Sequence, residues 1–517
     1  MKHGFAPLLI LLIFSCSQKS ESRGEEAQST ISLDQLDDYS YAGYDFGESE
    51  LPINAKGSVF SVEDFGAIAD DSISDFAAIQ LAIDQAVEAG GGIVLFSNGR
   101  YLVNETKGNK KGLFITGSNV VLRGSNETVL FMKEPLVPEN PEQFWTTPAI
   151  VDFHSTAEPI KLDAVLKTDI IKDSQKLDLI TNPNLSAGDI IRFTSVGTFL
   201  NEQFLEGKAT RDIWTNINEN GARIQEYHQV KRVDGNIIYL RAPLTFSLKA
   251  DQPFKIHKID MIRNCGFENI RLEANFTEPF IHHKDAIHDS GFYGVEMKET
   301  FNSWVANSTF VNVSIGADFK SSLTGTIYRC KIEGNSAHSS FGIETGTRCL
   351  IAYCEDNASQ WHGPNSSHAS VGTVIFRFKG VNSGIDVHGD SPRITLFDQC
   401  TIAGFDGESV GKTSHGAHYS NLPNHLNGLV LWNYTQTDLP REAFDFWDLY
   451  EDKPEDRYGP LTAVNPKLIG FKGPTDFKKE SVGSLASFGK PVSPESLYLA
   501  QLSERGVNIP KYLIEAE

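Results

Sequence analysis

The sequence predicts an all-β solenoid, a parallel β-helix, and three observations carry that prediction. Strand-like segments recur between residues 305 and 404 as VANSTFVNV, TIYRCKIEG, LIAYCEDNA, TVIFRFKGV and TLFDQCTIAG. Cys330, Cys354, Phe378 and Cys400 fall at matching places in them, separated by 24, 24 and 22 residues. One strand set per repeat, at a period of roughly 20 to 50 residues, is the mark of a solenoid. A second strand set keeps a common register through Gly316, Gly342, Gly384 and Gly428. The composition suits such a fold, with 40% hydrophobic and 22% charged residues over 517 positions, far from disordered or collagen-like chains.

Taken in order, the chain opens with Met1-Lys2-His3 and the apolar run Pro7 to Phe14, the n- and h-regions of a secretory signal. That run is too short to span a bilayer as a helix. It stops at Ile13-Phe14-Ser15-Cys16, which resembles a bacterial lipobox, and that resemblance implies a signal over residues 1–16, lipidation of Cys16 and a lipid-anchored place in the cell envelope, on the periplasmic or outer-membrane surface. A plain signal peptide with a fortuitous Cys16 is the alternative. Residues 17–57, rich in Ser, Glu, Asp and Gln, read as a flexible tether. The solenoid is expected over 58–434. Within it, Val62 to Ala67 is strand-like, and Phe76, Ile79, Leu81, Ile83 and Val87 recur mostly at helical spacing, predicting a helix over 75–89 that Gly90-Gly91-Gly92 ends. Ile93-Val94-Leu95-Phe96 is a buried strand, and Asn98-Gly99 turns into Tyr101-Leu102-Val103.

The string VEDFGAIADDSISDFAAIQLAIDQAVEAGGGIVLFSNGRYLV resembles the N-terminal signature of the pectate lyase-like superfamily. The resemblance implies that the helix caps the start of a right-handed parallel β-helix. It also implies a choice of chemistries, because that superfamily holds glycoside hydrolases, polysaccharide lyases and noncatalytic proteins. Residues of about 155–258, with GDIIRFTSVG and GNIIYLRAPL, break the repeat and are expected to form an inserted small β subdomain. Residues 435–517 read as loops and a short helix in SPESLYLAQLSERG that Ser493 can cap. GLVLWNY and this tail also resemble an uncharacterised group of bacterial β-helix proteins, which adds no chemistry.

Six cysteines without a CxxC pair exclude a zinc ribbon, a thioredoxin-type motif and a dense disulfide scaffold; those at matching places read as buried small hydrophobes. Sixty-seven acidic against 46 basic residues leave a formal charge of −21, which opposes nucleic-acid binding. No GxSxG, HExxH, P-loop or dinucleotide fingerprint occurs. A polysaccharide is the expected partner, with contact to the membrane only through the lipid.

Strand alternation places candidate chemistry on one face. If Ala317, Ile343, Ile385 and Leu429 point inward, Asp318, Glu344, Asp386 and Val430 point outward. The same reading of the first strand set puts Tyr328, Cys330, Phe376 and Phe378 inside and Arg329, Lys331, Arg377 and Lys379 outside, as a basic strip. Trp361, His362 and His368 lie in the coil between Glu344 and Asp386, and an aromatic ring beside polar groups suits a sugar. Any solvated sheet face, however, shows polar residues outward, and stacked charges often only pair with each other. The segment FIHHKDAIHDSGFYG, with His282, His283, Asp285, His288 and Asp289, reads as a polar loop ahead of a metal site, and His338 as a helper of Glu344 or a turn residue.

Hydrolysis of a glycosidic bond with inversion is the leading expectation. It needs one carboxylic acid and one carboxylate, here Glu344 and Asp386, with His388 and Arg377 as further catalytic candidates. Strands lie about 4.8 Å apart, so one intervening coil puts the two carboxylates' backbones roughly twice that distance apart, near the upper end of the roughly 6.5 to 9.5 Å of inverting enzymes. Asp318, Lys379, Trp361, His362 and His368 are expected to bind substrate. No cofactor is required for hydrolysis. A polysaccharide lyase, the alternative, would abstract a proton beside a uronate carboxyl with Arg377, Lys379 or His388, with Asp318 and Glu344 holding Ca²⁺. A carbohydrate-binding β-helix without catalysis is the third reading.

Overall fold

A computed structural model of the chain describes residues 35–125, 127–404, 418–437, 444–447 and 461–514. The signal and Cys16 lie outside these residues. The described chain is built on three parallel sheets: twelve strands from Val59–Ser61 to Ser484–Ala486, nine from Gly99–Asn104 to Thr435–Gln436, and six from Leu113–Ile115 to Asn365–Ser367. Successive coils visit the sheets in turn. Trp304–Ala306, Thr309–Val311 and Ile315–Lys320 make one coil, and Thr326–Tyr328 then returns to pair with Trp304–Ala306. The register carries Phe267 onto Val305, Ile327, Ile351, Ile375, Phe397, Leu431 and Leu468, a continuous inward stack of fully buried side chains. At roughly 1.5–3 kcal/mol for each fully buried aliphatic or aromatic side chain, such a stack is the main stabilising element of the coils.

Corners reset the alternation. Between the first and second sheets a residue with positive φ recurs at Asn269, Asn307, Arg329, Tyr353, Arg377, Gln399 and Asn433. Asn tolerates this left-handed conformation well, and the others accept it because every coil repeats the same turn. The turn inverts which side the next residue faces. Cys330, Cys354, Phe378 and Cys400, just after the corner, join the inner core, whereas Tyr328 and Phe376, just before it, lie on the outer face. Alternation run straight through the corner had placed those two aromatics inside. Cys330, Cys354 and Cys400 accordingly sit at the corner and not within a strand, and burial pushes the Cys400 thiol well above its ordinary value.

The helix Phe76–Glu88 turns Ile79, Ala82, Ile83 and Ala86 into the core and leaves Leu81 exposed. Residues 160–259 form a six-stranded antiparallel sheet with its own core around Phe193, Trp214 and Ile224. It is fastened to the solenoid by fully buried Glu226, which pairs with Arg393 and accepts from Thr245. Tyr227 N donates to Thr347 Oγ1 at 3.0 Å on the same seam.

Two boundaries differ from expectation. Residues 36–53 are packed, whereas 54–57 are exposed: Tyr39, Ala42, Phe46 and Leu51 are buried, and Tyr39 Oη donates to Gly428 O at 2.8 Å. Their few apolar residues lack periodicity because they serve a sheet face and not a helix or strand of their own. The solenoid also continues past 434, since Lys467–Ile469 and Ser484–Ala486 extend the first sheet with strands too short to stand out among loops. The C-terminal helix Leu497–Glu504 is capped by Ser496, whose Oγ accepts from Leu499 N at 3.1 Å, three residues later than Ser493.

Candidate functional site

The outer face of the third sheet carries two columns of side chains. The register aligns Asp152, Glu296, Asp318, Gly342, Asn365 and Asp386 in one, and His154, Lys298, Lys320, Glu344 and Ser367 in the other. Asp386 therefore follows Asn365, and Glu344 is in register with Ser367, so the two carboxylates expected to act as a pair stand in different columns. Leu429 and Val430 belong to the first sheet and leave the row altogether. Gly342 is small for a reason: a Cβ there would run into the Asp318 carboxylate.

At one end of the face, Asp318 Oδ2 accepts from Tyr293 Oη at 2.9 Å, and Lys320 Nζ lies 2.7 Å from Glu296 and 3.8 Å from Glu344. Burial pushes Asp318 up to about 6, against the pull of Lys320 and the Tyr293 hydroxyl and with the push of Glu344 and Glu296. The lysine ammonium occupies the centre of this carboxylate group. Calcium takes roughly six to eight oxygen ligands, so Asp318 and Glu344 do not fit a Ca²⁺ site.

At the other end, Asp386 is only 3% exposed. Its Oδ2 accepts from Asn365 Nδ2 at 2.7 Å and lies 3.3 Å from His362 Nδ1, and its Oδ1 lies 3.7 Å from His388 Nδ1. Burial alone would raise Asp386, but His362, His388 and Asn365 outweigh it and hold the carboxylate well below its usual range. Burial likewise depresses His362, while Asp386 and Glu344 raise His388 against burial. His388 is 34% exposed, and His368 and Glu344, 3.9 Å apart, are about as open. A carboxylate fixed in its charged form beneath an accessible imidazole can orient that ring and stabilise its protonated state.

The wall beside His362 contains Trp361, on which His282 stacks at 4.7 Å between ring centres. His338 lies 5.0 Å from His362. The loop read as merely polar thus folds back onto the row. Arg223 of the antiparallel sheet reaches the same end, 2.9 Å from Asp390 and close enough to act on His368. Nothing in the local sequence marks Arg223, because it arrives from an element more than 100 residues away.

Arg377 and Lys379 are elsewhere. Arg377 sits at the corner of the first sheet, donating to Gln399 Oε1 at 2.8 Å and to Tyr353 Oη at 2.9 Å. Lys379 is on the second sheet, in register with Glu355 and Thr401. The left-handed corner at Arg377 turns both away from the third sheet. A cavity of 870 Å³ lined by Tyr41, Asp45, Glu48, Arg241 and Arg505 is also distant from the row, and there Arg241 and Arg505 pair with Asp45 and Glu48.

Comparison with known families divides the chain. Residues 59–154 match the model described as rhamnogalacturonase A/epimerase, pectate lyase-like, and residues 359–516 match a domain of unknown function, DUF4955. Mannuronan C5-epimerase AlgE3 of Azotobacter vinelandii is 44% identical over 75 residues, 14% of this chain and 4% of that protein. Alginate lyase 7 of the same organism is 42% identical over 73 residues, 14% of this chain and 8% of that protein. The chain thus spans less than a tenth of the length of these relatives. Among solved structures, the tailspike protein gp49 of Pseudomonas phage LKA1 aligns over 81% of this chain and 76% of its own, at 12% identity and a TM-score of 0.43. The A-module of mannuronan C-5 epimerase AlgE6 from Azotobacter vinelandii aligns over 83% and 89%, at 12% identity and a TM-score of 0.30. The pectate lyase-like match is thus confined to residues 59–154, while Trp361, His362, His368, Asp386 and His388 fall within the DUF4955 match.

Proposed function

We propose that the protein acts on an acidic, uronate-containing polysaccharide by removing the proton beside the uronate carboxyl. His388 is the base, Asp386 holds it, and His368 and Arg223 meet the substrate carboxylate. The observation that carries this reading is the exposed His388 over the buried, charged Asp386. Proton abstraction next to a carboxylate needs a positioned base and a cation for the charge that develops; His388 is the base and Arg223 the cation, while burial holds His368 in its neutral form, a hydrogen-bond donor to the carboxylate. The names of the short-range relatives, a mannuronan C5-epimerase and an alginate lyase, support a uronate substrate. Elimination would open the adjacent glycosidic bond, whereas return of the proton to the other face would epimerise the sugar. Trp361 beside the row offers a ring for a pyranose face.

A second reading, hydrolysis, is favoured by one observation. Asp318, pushed up to about 6, is a carboxyl able to donate a proton near neutral pH, and Glu344 on the adjoining strand is open to solvent. Here Asp318 would be the acid and Glu344 the base, in place of Glu344 and Asp386. Lipidation of Cys16 would hold this activity at the cell envelope, and a Cys16→Ala protein that leaves the membrane fraction is the expected result.

The deciding experiment incubates the protein in heavy water with neutral and uronate polysaccharides. Ultraviolet absorbance of an unsaturated product, or solvent deuterium at C5, is the expected result. Reducing ends without either signal give hydrolysis, and binding without product leaves a carbohydrate-binding protein.

A further inference from the structure

Beyond the row, loop 280–292 meets the turn that precedes strand Ser339–Glu344. His282, His283 and His338 each offer a ring nitrogen there, and these nitrogens lie within 4.8 Å of one another. One fully buried residue holds two of the rings. Asp289 Oδ2 lies 2.7 Å from His283 Nδ1, and the backbone carbonyl of the same Asp289 lies 2.7 Å from His338 Nδ1. Asp289 Oδ1 also accepts from the backbone N–H of His283 at 3.0 Å. The third ring, His282, has its plane set by stacking on Trp361 at 17°.

This is the arrangement that metal-binding histidines require. Donation from Nδ1 to a carboxylate or a backbone carbonyl places the neutral ring's lone pair on Nε2 and fixes the direction in which it points. We propose that His282, His283 and His338 bind one divalent transition ion of the zinc class through three imidazole nitrogens, leaving a fourth tetrahedral position for water or a substrate oxygen. Three imidazoles suit zinc, copper or nickel and are poor partners for calcium or magnesium. Zinc–nitrogen bonds of about 2.0–2.1 Å put ligand nitrogens roughly 3.4 Å apart, inside the 4.8 Å within which the three ring nitrogens already lie, so the rings need close only slightly on the ion. The neighbouring His362, Asp386 and His388 are also close enough to share an ion. Asp386 there is already engaged by Asn365 and lies against both rings as the carboxylate that holds His388. The proposal stands apart from the role of His388 in catalysis.

The test uses the untagged full chain, stripped with a chelator and dialysed against Zn²⁺, with metal content read by mass spectrometry and Co²⁺ as a spectroscopic substitute. One ion per chain and an intense visible Co²⁺ spectrum of tetrahedral type are expected. His283→Ala and His338→Ala should abolish retention, and Asp289→Asn should weaken affinity by about 10 to 100-fold. Because His283 also partners the buried Asp289, each protein is melted with and without Zn²⁺: the ion should raise the melting temperature of the parent and leave that of His283→Ala where it is, which reads loss of binding apart from any loss of stability. His388→Ala should still hold the ion. No retained ion, or an ion lost in His388→Ala but kept in His283→Ala, overturns the proposal.

Discussion

The outer faces of the first and third sheets obey the same strand geometry and end in opposite states. On the first sheet the outward residues are Trp304, Tyr328, Leu350, Phe376, Leu396 and Trp432, and both ends of the chain cover them. Tyr39, Ala42 and Leu51 come from one end, and Leu497, Tyr498, Leu502 and Leu513 from the other. The ends are tied together over the sheet, with Tyr498 Oη donating to Ala42 O at 2.7 Å and Gln501 Nε2 donating to Asp37 O at 2.9 Å. On the third sheet the outward columns are mostly carboxylates and lysines, with His154, Asn365 and Ser367 among them and Phe114 beside Asp152 at one edge. No described chain end lies over them. A solenoid coil repeats its shape, so shape alone cannot distinguish the two faces; side-chain solvation does. Apolar outward residues need a cover, and polar ones can wait for a ligand.

The contrast is most sharply tested by comparing one residue from each face. His388→Ala should lower turnover on an acidic polysaccharide by about 10² to 10⁴-fold with little change in melting temperature. Arg377→Ala should leave turnover unchanged and lower the melting temperature, because Arg377 ties Tyr353 and Gln399 under the C-terminal cover. Activity lost in Arg377→Ala at an unchanged melting temperature would mean that the faces do not divide in this way.

A second measurement asks how much the cover stabilises the fold. Trp432 is 2% exposed, and its Nε1 donates to Pro494 O at 3.0 Å. Trp432→Ala should reduce unfolding stability by about 3–5 kcal/mol, the usual loss for a buried aromatic, as read by denaturant titration. A loss below about 1 kcal/mol would show the cover to be loosely attached.

The smallest expected effects are in pH dependence, and they have opposite signs in two parts of the molecule. Burial disfavours the charged form of Glu226, but Arg393, His228 and Thr245 overcome it and hold the group at about 2, against an ordinary 4.5. Its contribution is therefore present above about 4.5 and is lost as the pH falls toward 2. Asp318 is raised, so the folded state binds the proton more tightly, and stability falls as the pH rises from about 4 to about 6. In thermal melts across this range, Glu226→Gln should flatten the acid limb, and Asp318→Asn the limb between 4 and 6. Unchanged profiles would show that neither carboxyl is held as described.

Much of the fold was legible in the sequence because it is repetitive. The 22 to 24 residue recurrence reports the coil length directly, and small buried residues such as Cys330, Cys354 and Cys400 mark the same point of each turn. The site was legible only in part. Asp318, Glu344 and Asp386 do share the outer side of one sheet, since alternation within a strand is a local property. Their mutual register is not local: Asp318 pairs with Gly342 and Asp386 with Asn365, and only the lengths of the intervening turns set those offsets. Tyr328 and Phe376 were placed inside because a single left-handed residue at a corner reverses the side on which its neighbours fall, and Arg377, at that corner, stands on a different face from Asp386.

By itself the sequence determined the coil period, the burial of the recurrent cysteines, the helix near residue 80 and the carboxylates on the outer side of the third sheet, all of which depend on neighbours within one turn of the chain. The tertiary structure alone decided what covers the first sheet, which carboxylate stands beneath His388, and how Asp289 comes to hold His283 and His338 together. Those outcomes join residues from about 6 to more than 450 positions apart. Their partners are chosen by where coils stack and chain ends return, and no local pattern encodes that choice.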